Sequence, residues 1–159
     1  MVNLTAFSFL LFWLLPIAST QAKNVDESVL IDSVYGLYEV HLIERYRGGL
    51  TTREEAFLRQ DSRISVQEDV FTFWNDDVCE NPHYAIENHY VNEIEGEVSS
   101  SSERYGNFYG YGEDRNVINE LSVACHENDD ATYSFEIVNG ELWLFLDGWF
   151  YQLQRTAVR

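Results

Sequence analysis

The sequence predicts an all-β protein, an antiparallel up-and-down β-barrel of about eight strands with one short helix and one disulfide. Three observations lead to this fold class. Residues 134–155, SFEIVNGELWLFLDGWFYQLQR, are rich in aromatic side chains and are interrupted by two turn dipeptides. Other short apolar runs recur at about the interval expected for a sandwich or barrel. The chain also has two cysteines, Cys79 and Cys125, which is the number that a single disulfide requires.

Residues 1–22 are predicted to be a cleaved signal peptide. They contain no charged residue, the run from Phe7 to Ile17 is almost wholly apolar, and small residues precede a cleavage site expected after Ala22. This run is shorter than the roughly 20 residues of a membrane-spanning helix, so cleavage is favoured over a retained anchor. Residues 23–159 then form a single domain that is long enough to bury a core. The mature protein is expected to be periplasmic or secreted, without membrane attachment.

The domain is expected to begin with a strand over residues 34–46, where apolar side chains alternate with others. A short helix is expected near residues 52–60, because Thr51 or Thr52 is followed three residues later by a glutamate, as in a capping box. Residues 99–114 are rich in Ser, Gly and Tyr and predict a long exposed loop or a loose hairpin. Further strands are expected at residues 63–67, 70–74, 83–91 and 117–125.

The C-terminal segment predicts a three-stranded antiparallel meander. Residues 132–137 alternate between polar and apolar, and Asn139-Gly140 and Asp147-Gly148 are pairs that tight hairpin turns favour. Aromatic side chains bury about 150–250 Å² each, so the rings here are expected to be mainly core. The alternative is that they line a pocket for one apolar ligand. The rings concerned are Trp74, Trp143, Trp149, Phe150 and Tyr151.

The charge of the chain limits its partners. It has 27 acidic and 10 basic residues, a formal net charge of −17. This charge repels nucleic acid and anionic membrane surfaces, so neither is expected as a partner. It favours a basic protein, or it serves only solubility. A hydrophobic fraction of 45 % argues against disorder.

The two cysteines are expected to form a structural disulfide between Cys79 and Cys125, because exported proteins fold under oxidising conditions. The loop that this bond closes corresponds to a chain-entropy stabilisation of roughly 4 kcal/mol. No Cys-x-x-Cys motif points to redox activity.

No residue pattern predicts a metal, a cofactor or an enzyme. His83 and His89 are six residues apart, about 20 Å along a strand, and neither they nor His41 and His126 show metal-ligand spacing. The chain lacks a Gly-x-Ser-x-Gly motif. Acidic pairs such as Asp76/Asp77 and Glu93/Glu95 are expected by chance in so acidic a chain. We therefore expect a non-enzymatic protein.

The strongest functional candidate is the Ser/Gly/Tyr-rich stretch at residues 99–112. Its three glycines would leave Tyr105, Tyr109 and Tyr111 on a pliable, exposed chain. Tyr, Ser and Gly are residues that protein-recognition loops favour, because they combine contact area with adaptable hydrogen bonding. A merely flexible loop is the alternative interpretation.

The chain shows two resemblances to known families, and the first covers much of the mature chain. YGLYEV at 35–40 resembles the Gly-x-Trp opening of lipocalin-like, calycin-type barrels, with Tyr38 in place of the Trp, and Arg155 resembles the arginine that follows their last strand. CENPHY at 79–84 and DGWFYQLQR at 147–155 resemble a mostly uncharacterised group of small exported bacterial proteins. The resemblance implies a barrel in which Arg155 packs across one end and stacks on Tyr38.

SSSSERY at 99–105 is similar to the Ser-rich loop of periplasmic inhibitors of c-type lysozyme. That resemblance implies that Ser101 and Tyr105 enter the enzyme's cleft and that Arg104 meets its carboxylates. The expected function is an acidic binding protein, an inhibitor or immunity-type protein for a basic cell-wall hydrolase or toxin. Its binding residues would be Ser101, Arg104, Tyr105, Tyr109 and Tyr111. The alternative is a lipocalin-like carrier of a small apolar ligand.

Overall fold

The computed structural model describes residues 27–74, 76–91, 96, 98–113, 115–126 and 132–157. The predicted signal peptide and the Glu93/Glu95 pair lie outside the described residues. Within them the chain forms two short α-helices and nine strands, which confirms the all-β prediction. No helix among these residues is long and apolar enough to cross a membrane.

The elements follow the predicted order closely. The helix α1 was not predicted, and neither was the three-residue strand β4. Two 3-10 turns, Ser101–Glu103 and Gly106–Tyr109, lie between β5 and β6. The remaining bounds are α1 Glu27–Val34, β1 Gly36–Arg45, α2 Arg53–Phe57, β2 Arg63–Val66, β3 Val70–Thr72, β4 Val78–Glu80, β5 His83–Tyr90, β6 Val117–Ala124, β7 Tyr133–Val138, β8 Glu141–Leu146 and β9 Trp149–Arg155.

The strands form one antiparallel sheet in the order β4-β3-β2-β1-β9-β8-β7-β6-β5, which is curled into a half-barrel. Because every pairing is antiparallel, β4 and β5 run in the same direction, and only Asn81 and Pro82 separate them. They are consecutive parts of one bent strand that pairs first with β3 and then with β6. Asn81 has a positive φ of 51° at this bend. Counted in this way the sheet has eight strands, the predicted number.

Each part of the bent strand is also linked on its second edge. Cys79 in β4 is bonded to Cys125, which directly follows β6, so the predicted disulfide is confirmed. The Tyr84 hydroxyl of β5 donates a hydrogen bond of 2.8 Å to the carbonyl of Gln67, in the turn after β2. These two links hold the half-barrel at the place where its backbone ladder is interrupted.

Apolar side chains fill the inner face of the curled sheet. Trp149 and Tyr151 belong to this core, as predicted, whereas Phe150 lies on the opposite, outer face. Ala56 of α2 is also buried in the core. The capping box was predicted, and its Thr52 accepts from the Glu55 N–H while Glu55 accepts from Thr52. The largest fully buried inner side chains are Tyr38, Ile64, Phe71, Leu121, Phe135, Leu142 and Leu153.

Candidate functional site

Residues 99–113, here called the cap, lie against the outer face of the sheet. The sequence predicts a pliable, exposed chain for this segment, and the structure corrects that expectation at its three tyrosines. Tyr105, Tyr109 and Tyr111 are half-buried. The Tyr111 ring lies 4.3 Å from Phe150, and Phe150 is only 2 % exposed although it lies outside the main core. The cap therefore covers a second apolar layer.

That second layer consists of aromatic residues on β8 and β9. Phe145 and Phe150 stack at 5.0 Å, and Trp143 meets Phe150 edge-on at 5.2 Å. Tyr109 packs on Tyr46 at 4.5 Å. Because consecutive strand residues alternate between the two faces, Trp143, Phe145 and Phe150 lie on the face opposite the inner core.

A buried ion pair anchors the cap. Glu136 of β7 is 5 % exposed and accepts a hydrogen bond of 2.7 Å from Arg115 and one of 2.6 Å from the Gly106 N–H. Burial raises the pKa of Glu136, and the Arg115 hydrogen bond opposes this rise. The Arg115 guanidinium also lies 4.9 Å over Trp143. A Cβ at Gly106 would lie 2.9 Å from Arg115, so glycine permits this close approach.

Two further contacts tie the cap to strands. The Tyr111 hydroxyl donates to Glu44 of β1 at 3.0 Å, and burial together with this carboxylate raises the pKa of Tyr111 to about 12. Tyr105 stacks on His89 of β5, with the ring centres 5.0 Å apart. Burial, and then the charge of Glu120, raise the pKa of Tyr105. The rings of the three tyrosines thus pack against other residues of the protein.

The outward side of the cap carries the remaining predicted residues. Ser101 is exposed, and Arg104 is half-buried. Arg104 donates to the Ser99 carbonyl at 3.1 Å and lies 4.8 Å over Phe108, which is 49 % exposed. Of the five predicted binding residues, Ser101 is therefore exposed, Arg104 lies half-buried beside the exposed Phe108, and the three tyrosines pack on the sheet.

The predicted pair Arg155 and Tyr38 lies at the α1 end of the half-barrel. The guanidinium is 5.3 Å from the centre of the Tyr38 ring and donates to its hydroxyl at 2.8 Å. This is the contact that the resemblance implies, and it joins the last strand to the first.

His89 lies beside two carboxylates, with its Nε2 3.2 Å from Glu120 and 3.6 Å from Glu87. In the described parts of the chain, no group of three or more His, Cys, Asp or Glu side chains could hold a metal ion.

The half-barrel has a cleft at its α2 end, with a volume of about 440 Å³. Trp74 and Tyr151 line it, and they are two of the five rings that the alternative interpretation assigned to an apolar pocket. The sequence did not indicate the position of the cleft. Leu50 on its rim is 95 % exposed and Leu58 is 77 % exposed. These two leucines add exposed apolar surface to the mouth of the cleft. The lining residues are Leu50, Thr51, Glu55, Leu58, Arg59, Trp74, Leu146 and Tyr151.

The rim of this cleft is held by polar contacts. Asp147 accepts hydrogen bonds from the backbone of Leu50 and from the backbone and side chain of Thr51. Arg45 donates to the carbonyls of Gly49 and Thr51 at 3.2 and 3.0 Å. These contacts tie the backbone of Leu50 and its neighbours to the end of the sheet.

One sequence signal could have indicated this site. Five of the ten basic residues lie within residues 45–63, together with only three of the 27 acidic residues. This segment has a formal charge of +2, five basic residues less three acidic ones, and Asp147 at the rim offsets part of it.

Comparisons of the chain with protein-family models, with curated proteins and with solved structures find no match. The chemistry of the cap and of the cleft is therefore the basis for the functional inference.

Proposed function

We propose that the protein is a non-catalytic, exported binding protein that recognises a basic protein, such as a cell-wall hydrolase or a toxin. The observation that carries the proposal is the set of contacts that hold the cap against the sheet. Glu136 and Arg115 hold the cap on its sheet-facing side. Ser101, Arg104 and Phe108 lie on its other side. A preformed loop loses little conformational freedom on binding, which favours affinity.

The net charge supports the same partner class. An acidic surface raises the encounter rate with a basic protein by electrostatic steering, and salt screens the effect. The lysozyme-inhibitor resemblance narrows the proposal to a c-type lysozyme. In this proposal Ser101, Arg104 and Phe108 contact the enzyme, whereas the three tyrosines hold the cap in place.

The test is the inhibition of a c-type lysozyme, with binding measured by calorimetry. The wild-type protein is expected to inhibit, and raising salt from about 50 to about 500 mM should weaken binding by roughly tenfold or more. A variant with Ser101→Asp, Arg104→Glu and Phe108→Ser should lose inhibition. Leu58→Ser, which lies outside the cap, is the control and should inhibit normally.

A result of no binding to lysozyme and no salt-dependent binding to other basic hydrolases contradicts the proposal. Equal loss of inhibition in the Leu58→Ser control would show that the cap is not the contact surface.

A second candidate function is the carriage of a small apolar ligand, and the cleft favours it. The inner face of the sheet is filled by side chains, so the ligand would bind at the barrel end and not inside. A volume of 440 Å³ lies within the range of about 300–1,000 Å³ typical of small-molecule sites. Native mass spectrometry of the purified protein tests this candidate, and a co-purified small molecule that Leu58→Asn removes is the expected result.

A further inference from the structure

We infer that the cleft at the α2 end selects anionic amphipaths, molecules with an unbranched apolar tail and one anionic head group, and that Arg59 binds the head. The inference rests on the second candidate function and names its ligand class. The tail would pack on Trp74, Leu58 and Leu146, and the head would lie at the rim.

The apolar part of the site is well defined. Trp74 and Tyr151 are in ring contact at 4.9 Å and both line the cleft. Leu50 and Leu58 are largely exposed at its rim. The transfer of these apolar side chains from water to a ligand tail is favourable.

Arg59 is the cation placed to meet a head group. It lines the cleft and lies 5.7 Å over Trp74. No carboxylate among the described residues forms an ion pair with it. A guanidinium without a partner at the rim of an apolar site can bind a carboxylate or a phosphate with two parallel hydrogen bonds.

The acidic side chains that line the cleft or bond its rim, Glu55 and Asp147, are already engaged. Glu55 lines the cleft, but its Oε2 accepts from the backbone and side chain of Thr52 at 2.8 Å. Asp147 accepts from Leu50 and Thr51. Neither therefore competes as a direct partner for Arg59 in this arrangement.

The net charge of the chain opposes the binding of an anionic ligand. A protein of charge −17 attracts cations over most of its surface and repels anions. Preference for an anionic ligand can arise only from local groups, and Arg59 is the basic residue among those that line the cleft. The expected order of affinity is thus opposite to the order that net charge alone predicts.

The test compares three probes with the same ten-carbon tail: decanoate, decanol and decyltrimethylammonium. Binding is followed by calorimetry and by the tryptophan fluorescence of the full mature chain. Decanoate should bind about tenfold more tightly than decanol, and the cationic probe should bind most weakly. Arg59→Gln should abolish the advantage of decanoate and leave decanol unchanged.

Arg63→Gln is the matched control, because Arg63 pairs with Glu39 on the exposed surface and does not line the cleft. It should bind all three probes as the wild type does. Equal or tighter binding of the cationic probe overturns charge selection, while the carrier function stands. No binding of any probe overturns both, and circular dichroism confirms that each variant is folded.

Discussion

Arg155 joins three elements at the α1 end of the half-barrel. Its guanidinium lies over the Tyr38 ring of β1, and it donates to the Tyr38 hydroxyl and to the carbonyl of Ser33 in α1. The Tyr38 hydroxyl in turn donates to the Val34 carbonyl at 2.7 Å. A Cβ at Gly36 would lie 2.9 Å from the Arg155 Nε, so the glycine leaves room for this side chain. The last strand is thereby fastened to the first strand and its preceding helix.

Arg155→Ala is therefore expected to lower the free energy of unfolding by about 1–3 kcal/mol. The substitution removes a cation–π contact and leaves the Ser33 carbonyl and the Tyr38 hydroxyl without their donor. Urea unfolding followed by tryptophan fluorescence measures the change. Arg63→Ala, which breaks an exposed pair with Glu39, should cost less than about 1 kcal/mol. Equal effects would mean that the Arg155 contact contributes no more than a surface ion pair.

Asp147 makes stability sensitive to acid at the rim of the cleft. Hydrogen bonds from the Thr51 side chain, and then from the Leu50 and Thr51 backbone, lower the pKa of Asp147 below its usual value of 3.8. A carboxyl with a lowered folded-state pKa contributes stability above its usual pKa, and this contribution is lost as pH falls through the folded-state value. Acid is therefore expected to loosen this rim.

The Asp147→Asn variant tests this effect. Its melting temperature should lie below that of the wild type at neutral pH, and the gap should narrow as the pH is lowered from about 5 to about 2. The backbone is expected to tolerate asparagine, because the φ of 43° at Asp147 is in a region that Asn readily adopts. Asp61→Asn, at another positive φ, controls for the loss of one charge. A gap independent of pH would show that the carboxylate charge is not what holds the rim.

At the scale of elements, local patterns predicted the hairpins but not the cap. The turn pairs Asn139-Gly140 and Asp147-Gly148 act through neighbouring residues, so a single sequence carries their signal. The contact between Tyr111 and Glu44 joins residues 67 positions apart, and no local pattern reports it. Residues 142–146 are apolar on both faces, which indicates a second covered face without indicating what covers it. The short helix α1 was also missed, because the burial of Val34 depends on contacts with the folded core that the local sequence does not show.

Arg115→Met tests the anchor of the cap. It leaves the Glu136 carboxylate buried without its cation, a change that typically costs about 3–5 kcal/mol. Burial already raises the pKa of Glu136. The hydrogen bond and the positive charge of Arg115 both lower this pKa, and the substitution removes them. When the folded-state pKa of a carboxyl is raised, the protein loses stability as the pH rises from the usual pKa of that group, here 4.5, through the folded-state pKa. The variant should thus be closer to the wild type near pH 5 than near pH 8 in thermal unfolding.

The double variant Arg115→Met with Glu136→Leu is the control for this prediction. It carries no buried carboxylate, so the pH dependence of the single variant should disappear and part of the stability should return. A single variant whose deficit is the same at both pH values would show that Glu136 escapes to solvent when the cap loses Arg115.

At the scale of the whole molecule, the sequence shows where basic residues are concentrated but not where the cleft lies. Five of the ten basic residues fall within residues 45–63. The cleft forms only where the residues around α2 meet Trp74 after β3, Leu146 at the end of β8 and Tyr151 of β9. Because these segments are far apart in the sequence, no local pattern reports the cleft.

The disulfide is the one covalent link across the bend between β4 and β5. Cys79 and Cys125 are 46 positions apart, and a loop of that length corresponds to a stabilisation of about 4 kcal/mol. Reduction should therefore lower the urea midpoint strongly, and the double variant Cys79→Ala with Cys125→Ala should have the midpoint of the reduced wild type and ignore the reductant. Because Cys79 is buried, the wild type must be equilibrated with reductant through its unfolded state. A loss below about 1 kcal/mol would mean that the Tyr84 contact and strand pairing alone hold the bend.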